Sequence, residues 1–308
     1  MKAQVVPCIK IKKKNGTKTS SFGVSKREGH DSTLFYESKL YRDILIDETV
    51  PEIENAIDPK ILNHVLCRDS RDMTNLPDSS VHLMVTSPPY NVSKEYDQNL
   101  TIDEYTELLR QVFSETYRVL VFGGRVCINI ANVGRKPYIP YHSLIIDIMR
   151  ELGFLMRGEI IWDKNGSAGT STAWGSFTSA TNPTLRDVHE YILIFSKGKF
   201  SRAKGNKTNT ITKNEFLEFT KSIWRFPTES AKRLGHPAPF PVELTYRCAQ
   251  LYTFKNEVIL DPFCGVASAC VAALKANRQF IGFDSNSEYV AKANDRIHKY
   301  KNQTKVIK

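Results

Sequence analysis

The sequence predicts an α/β fold built on a doubly wound, mostly parallel sheet, and three observations carry that expectation. Short apolar runs alternate with segments of helical spacing from residue 81 onward, a rhythm that puts helices on both faces of a sheet. Two of the runs, "VHLMVTS" and "NEVILDPF", end in abrupt turns of the kind that form ligand sites in open α/β sheets. A polar, basic and irregular stretch, 197–235, interrupts the rhythm once, as an insertion would.

Taken in order, "VHLMVTS" reads as a strand. In "TIDEYTELLRQVFSETYRVL" the residues Tyr105, Leu108, Leu109, Val112 and Phe113 fall at helical spacing, with Thr101 or Asp103 as cap. "GRVCINIAN" is a strand, "YHSLIIDIMRELG" a helix stopped by Gly153, and "RGEIIWDK" a strand. A loop rich in glycine and hydroxyls, 165–184, holds Trp174 and Phe177 and precedes the strand "EYILIFSK". Beyond the basic stretch come a helix in "PFPVELTYRCAQLY", a strand in "NEVILDPF", a helix in "VASACVAALKAN", a strand in "QFIGFD" and a helix in "SEYVAKANDRIHKY". Residues 1–60 carry no fold assignment.

Composition narrows the class. A hydrophobic content of 41% suffices for a real core, and no apolar run approaches the roughly 18 residues that span a bilayer. Residues 1–30 lack a secretory signal, so the expectation is a soluble cytoplasmic protein with no membrane partner. The six cysteines form no C-x-x-C pair or Cys/His cluster, which argues against zinc and against a disulfide framework. Segments 1–30 and 196–236 each carry a net +7 against +10 for the whole chain, so the remaining body is mildly acidic. Two basic surfaces on such a body suit contact with a phosphate backbone.

The turn after "NEVILDPF" is a candidate cofactor site. A strand ending at Asp261, the turn "DPFCGVAS" and a following helix place backbone N–H groups at the carboxyl edge of the sheet. The next strand ends at Asp284, 19 residues beyond Gly265, where a carboxylate can accept hydrogen bonds from a ribose diol. The missing G-x-G-x-x-G and the Pro262-Phe263 pair point to a nucleoside smaller than a dinucleotide; alone, the pattern also fits an ordinary αβ turn. At the other turn, "TSPPY", Pro88 and Pro89 fix two φ angles and donate no hydrogen bonds. Ser87 and Tyr90 are thereby held at the strand top as an acceptor and a stacking face, although a proline turn that merely caps a strand has the same letters.

The two sites together are more specific. A [SDN]-P-P-[YF] corner preceded by "LPDSSVHLMV", with "HPAPFP" leading into "VILDPFCG", resembles the amino-group DNA methyltransferases that use S-adenosylmethionine. The order, catalytic corner first and cofactor turn near the C-terminus, is similar to the permuted beta class, over about residues 60–300. The resemblance implies a Rossmann-like methyltransferase with a basic extension (1–60), a catalytic half (61–196), a target-recognition insertion (197–235) and a cofactor half (236–308). It differs at one position: the family's F-x-G-x-G is Phe263, Gly265 and Ala267 here, so that position is expected not to need a positive φ.

By resemblance, Ser87 and the Pro88 carbonyl accept the hydrogens of an exocyclic amino group, and Tyr90 stacks on a base flipped from the duplex. Asp261, Phe263 and Gly265 surround the methionine end of the cofactor and Asp284 its ribose, with His236 and Pro237 nearby and Asp69 at the adenine or amino-acid end. Lys197, Lys199, Arg202, Lys204 and Lys207 would meet phosphates, and Arg225, Lys232 or Arg233 would read bases. Serine at the first corner position accompanies N4-cytosine activity in this family more often than N6-adenine activity. "ANVGRKPYIP" and "GEIIWDKNGSAGTSTAWGS" are similar to enzymes of restriction–modification systems, some acting on palindromes such as CTAG, which implies a partner endonuclease. A C5-cytosine mechanism would need a Pro-Cys nucleophile, and the one such dipeptide, Pro7-Cys8, lies in the basic tail. A non-catalytic DNA-binding subunit, or an RNA or protein-glutamine methyltransferase, are the other classes.

Overall fold

The computed structural model describes residues 39–41, 49–50, 52–91, 99–164, 175–229 and 240–306. The chain divides into two compact units, Met1–Asp47 and Glu48–Lys308, and all the elements described belong to the second.

One eight-stranded sheet organises that unit. Its strands are β1 (His64–Cys67), β2 (Val81–Thr86), β3 (Leu120–Ile130), β6 (Phe154–Asp163), β7 (His189–Lys197), β8 (Ile223–Arg225), β9 (Val258–Asp261) and β10 (Gln279–Asp284). A small hairpin, β4 (Val133–Gly134) with β5 (Tyr138–Ile139), stands outside it. The helices are α1 (Ile102–Val119), α2 (Tyr141–Glu151), α3 (Lys213–Phe219), α4 (Val242–Tyr252), α5 (Ser268–Lys275) and α6 (Ser287–Val306). Across the sheet the order is β1-β10-β9-β2-β3-β7-β6-β8; neighbours are parallel except around β7, which runs antiparallel to β3 and β6. The chain leaves β2 for β3 in one direction and β9 for β10 in the other, so the carboxyl ends of β2 and β9 flank a topological switch point.

Local sequence accounts for the elements that frame this point. Thr101 and Glu104 form a capping box at the start of α1, whose Tyr105, Leu109, Val112 and Phe113 are buried. Gly153, at φ +87°, ends the turn after α2. β2 is buried along its whole length because both sheet faces are covered. Met84 packs in the layer that holds Phe113 and Ile145, while Leu83 and Val85 pack in the layer that holds Leu244, Ala269 and Phe280. No helix among the described residues is long and apolar enough to cross a membrane.

The segment 197–235 departs from its expected irregularity. A capping box, Thr212 with Glu215, opens α3, and β8 joins the sheet as an edge strand parallel to β6. Trp224 at its centre is fully buried, with its indole N–H donated to the Phe219 carbonyl at 3.1 Å. Part of the insertion is therefore built into the core. The sequence pattern gives no sign of β1 either; it extends the sheet beyond β10.

The basic residues after β7 also need correction. Because β7 is antiparallel, its end at Lys197 emerges at the amino edge of the sheet, opposite the switch point. Lys197 is buried and donates to the Leu120 and Arg118 carbonyls at 2.6 and 3.2 Å, and burial pulls its pKa down to about 8. Lys199 pairs with Glu52 at 3.0 Å, Arg202 pairs with Glu257, and Lys207 bridges Glu54 at 2.7 Å and Glu257 at 3.0 Å. Lys204 is exposed, in the turn that Lys207 closes onto its carbonyl. Lys199, Arg202 and Lys207 are thus committed to Glu52, Glu54 and Glu257, and Lys197 to backbone carbonyls, rather than to phosphates, and Lys204 shares their edge.

Trp224→Ala is expected to cost about 3–5 kcal/mol in denaturant unfolding. A loss below about 1 kcal/mol would show that β8 is not part of the cooperative core.

Candidate active site

β2 ends at Thr86, and the next four residues turn the chain out of the sheet. Pro88 is buried while Ser87, Pro89 and Tyr90 are half-buried at the rim. Asn91, at φ +50°, locks the far side of the corner: its amide donates to the Leu100 carbonyl at 2.6 Å and its oxygen accepts from the Leu100 N–H at 2.9 Å. The corner is thereby tied to the residue that precedes the α1 capping box.

β9 ends at Asp261 and the second turn begins. Asp284 Oδ2 accepts from the Gly265 N–H at 2.8 Å and Oδ1 from the Asn286 N–H at 2.9 Å, and burial raises its pKa. Gly265 sits at φ +49° and Ala267 at φ +64°, which overturns the expectation that alanine here meant an ordinary φ. A left-handed alanine costs about 1–2 kcal/mol. The turn's bonds from the Ala267 N–H to the Cys264 carbonyl (2.9 Å) and from the Val271 N–H to the Ala267 carbonyl (3.0 Å) hold it there. Gly282 of β10 is required for a different reason: a Cβ there would lie 2.6 Å from Cys264 Sγ, so only glycine lets the turn seat on the strand.

One buried hydrogen bond joins the two turns. Thr86 Oγ1 donates to Asp261 Oδ1 at 2.7 Å, and the same oxygen accepts from the Phe263 N–H at 3.2 Å. Asp261 Oδ2 is buried with no hydrogen-bond partner among the described residues. Burial pushes this carboxyl up to about 7, with a smaller contribution from Asp284.

Above that bond lies a cavity of about 620 Å³, within the range of small-molecule sites. Ser87, Pro88, Pro89 and Tyr90 line one side of it, and Phe263, Gly265 and Asp284 the other. Asp69 is in its wall, but its carboxylate is held by Arg71 at 2.6 Å, which lowers its pKa. Asp261 does not reach the cavity surface and acts from beneath. Arg225 is at the carboxyl edge, largely exposed and paired with Asp163 at 3.0 Å. His236, Pro237, Lys232, Arg233 and Trp174 lie outside the described residues.

Residues 81–295 match the N6/N4 methyltransferase family described as DNA methylase, a span that includes both turns. The chain belongs to the DNA methylase family. This methylase is 30% identical to the type II methyltransferase M.MjaI of Methanocaldococcus jannaschii, over 74% of the chain and 89% of the relative. It is 29% identical to the type II methyltransferase M.MthZI of Methanothermobacter thermautotrophicus, over 78% and 77%. Among solved structures it is similar to TTHA0409, assigned as a DNA modification methylase of Thermus thermophilus, in complex with S-adenosyl-L-methionine. The TM-score is 0.63 and the identity 27%, covering 77% of this chain and 93% of that one. PvuII DNA methyltransferase (cytosine-N4-specific), at 18% identity, shares the fold with a TM-score of 0.61 over 78% of this chain and 91% of that one.

The methylase also carries site residues that the sequence did not reveal. Glu190, near the start of β7, accepts from the Tyr90 hydroxyl at 3.2 Å, from Asn129 Nδ2 at 2.5 Å and from Lys164 Nζ at 2.6 Å. Burial, and next the nearby Glu190 charge, raise the Tyr90 pKa well above its ordinary value. A charged letter at the head of "EYILIFSK" gave no sign of this, because its partners are 26 to 100 residues away.

The Asp261 pKa has a sign that can be tested. A carboxyl raised in the folded state contributes stability that is complete below its unfolded pKa and lost as pH rises through about 7. The stability of the cofactor-free protein relative to an Asp261→Asn variant should therefore fall between pH 4 and pH 7, by on the order of 3–4 kcal/mol. Thermal melts at matched pH measure the difference; a constant gap would refute the raised pKa.

Proposed function

We propose that this DNA methylase transfers a methyl group from S-adenosylmethionine to the N4 amino group of cytosine in duplex DNA, as a beta-class enzyme of a type II restriction–modification system. The observation that carries the reading is that one cavity, at the switch point of the sheet, holds both the Ser87-Pro88-Pro89-Tyr90 corner and the Asp284-capped turn. The corner precedes the cofactor turn in the chain, as in the beta class. Serine at position 87 supports cytosine, and the type II names of the archaeal relatives support the restriction–modification setting.

The residues present fit the cofactor. The cavity takes a nucleoside with a short tail, and Asp284, which spends one lone pair per oxygen on backbone N–H groups, keeps others for a ribose diol. Phe263 and Gly265 lie beside it for the methionine end. Bound there, S-adenosylmethionine supplies an electrophilic methyl on a sulfonium. The chain does the rest. The lone pair of an exocyclic amino group is delocalised into the ring, so Ser87 Oγ and the Pro88 carbonyl draw its hydrogens aside and localise it. Tyr90 stacks on the flipped base. Catalysis rests on positioning and on dipoles set in advance.

DNA is read at the carboxyl edge, where Arg225 lies, with Lys232 and Arg233 as further candidates for base contact and the loop that carries Phe177 as a candidate DNA contact. Phe177 is 69% exposed, as a side chain that meets DNA must be. The functional partner is an endonuclease of the same specificity, against which methylation protects host DNA.

Incubation with S-adenosylmethionine and varied duplexes, including CTAG-containing ones, should yield N4-methylcytosine on nucleoside mass spectrometry. Ser87→Ala should lower the rate by about 10²-fold or more. N6-methyladenine alone would reassign the base, and no methylated base at all would sink the reading.

A further inference from the structure

Stacking on a base asks one thing of a side chain, a flat apolar face, and phenylalanine would supply it at position 90. Tyr90 carries a hydroxyl as well, and the fold surrounds that hydroxyl with polar groups. A carboxylate, a carboxamide and an ammonium gathered behind the ring cost desolvation that stacking alone does not explain.

Tyr90 lines the cavity. Its hydroxyl donates to Glu190 Oε2 at 3.2 Å and accepts from the Ala131 N–H at 3.3 Å, so the tip of the ring is held by two bonds. Glu190 is fixed in turn, by Asn129 Nδ2 at 2.5 Å on Oε2 and by Lys164 Nζ at 2.6 Å on Oε1. The side chains of Glu190 and Lys164 are 13% and 18% exposed, a setting in which charge-assisted bonds are stronger than at an open surface. The residues involved belong to or directly follow β2, β3, β7 and β6, which are consecutive in the sheet. One side-chain tip is thereby fixed to four strands of the scaffold. Every bond in the set is made within the chain, so the anchoring does not depend on a bound base.

We propose that Glu190, braced by Lys164 and Asn129, is a positioning residue that presets the Tyr90 ring for the flipped base. The proposal rests on the reading of Tyr90 as the ring on which that base stacks. A ring left free at its tip loses side-chain freedom when a base arrives, and that ordering opposes capture of the base. With the hydroxyl already bonded, the ordering is complete in the folded protein, and more of the stacking free energy holds the base out of the duplex. Glu190 acts through Tyr90 and does not touch the substrate. Its effect falls on how much of the target base occupies the cavity, and not on affinity for the duplex, which phosphate contacts dominate.

The test compares the full-length protein with Tyr90→Phe, Glu190→Gln and the double variant on two duplexes of a sequence that the wild type methylates. In one the target base is paired, and in the other it is mismatched, so that extruding it costs less. Single-turnover methyl transfer and the duplex Kd are measured on both. On the paired duplex each single variant should slow transfer by about 5- to 10-fold, the cost of ordering one side chain, with the Kd unchanged. The double variant should be no slower than the slower single, because both substitutions remove the same hydrogen bond. On the mismatched duplex every variant should return to within about twofold of the wild type, a recovery that a general loss of structure would not give. Single variants at the wild-type rate on the paired duplex, additive losses, or a defect of equal size on the mismatched duplex would each overturn the proposal. Should Glu190→Gln fail to fold, Tyr90→Phe decides, since it removes the same bond and keeps the ring. A wild type that methylates no DNA defeats the functional reading itself, a separate outcome.

Discussion

The hydrogen bond from Thr86 to Asp261 is the constraint on which the site depends. These are the last residues of two neighbouring parallel strands, and the chain turns away from each in opposite directions. Ser87 follows one and Pro262 the other, so the 2.7 Å bond sets the distance between the Ser87 corner and the turn that follows Asp261. It is made in a fully buried place, where an unmade bond is costly and where burial pushes Asp261 toward the neutral form. The packing of Gly282 against Cys264 and the left-handed Ala267 serve the same end, seating the second turn low enough for the bond to form.

The reversed strand β7 is the second organising feature. Its start brings Glu190 to the carboxyl edge, behind Tyr90, between Asn129 of β3 and Lys164 after β6. Its end delivers Lys197 to the opposite edge, where Lys199, Arg202 and Lys207 neutralise Glu52, Glu54 and Glu257. One change of direction thus supplies a polar support to the site and a charged clasp beneath the sheet. Of these pairs, Arg202 with Glu257 is withdrawn from water, and such a buried pair fixes geometry more than it adds stability.

Local signals are legible wherever the physics is local. The Thr101 cap, the helical spacing of Tyr105 to Phe113, the stop at Gly153, the apolar run of β2 and the two turns all depend on neighbours a few residues apart. Joint spacing is what lifted Ser87-Pro88-Pro89-Tyr90 and Asp284 above their ordinary alternatives. The basic run 197–207 misled because a count of charges does not say which edge a strand ends on. Ala267 misled because the cost of a left-handed residue can be borne by a turn whose bonds lie in place on both sides.

By itself the sequence determined the α/β class, the two turns and the family they resemble, since rotamer, proline and spacing constraints act along the chain. Only the tertiary structure decided that the turns share one cavity, that Trp224 belongs to the core, and that Glu190 stands behind Tyr90. Those facts follow from strand order and direction, which bring together residues as far apart as Thr86 and Asp261 and which no local periodicity encodes.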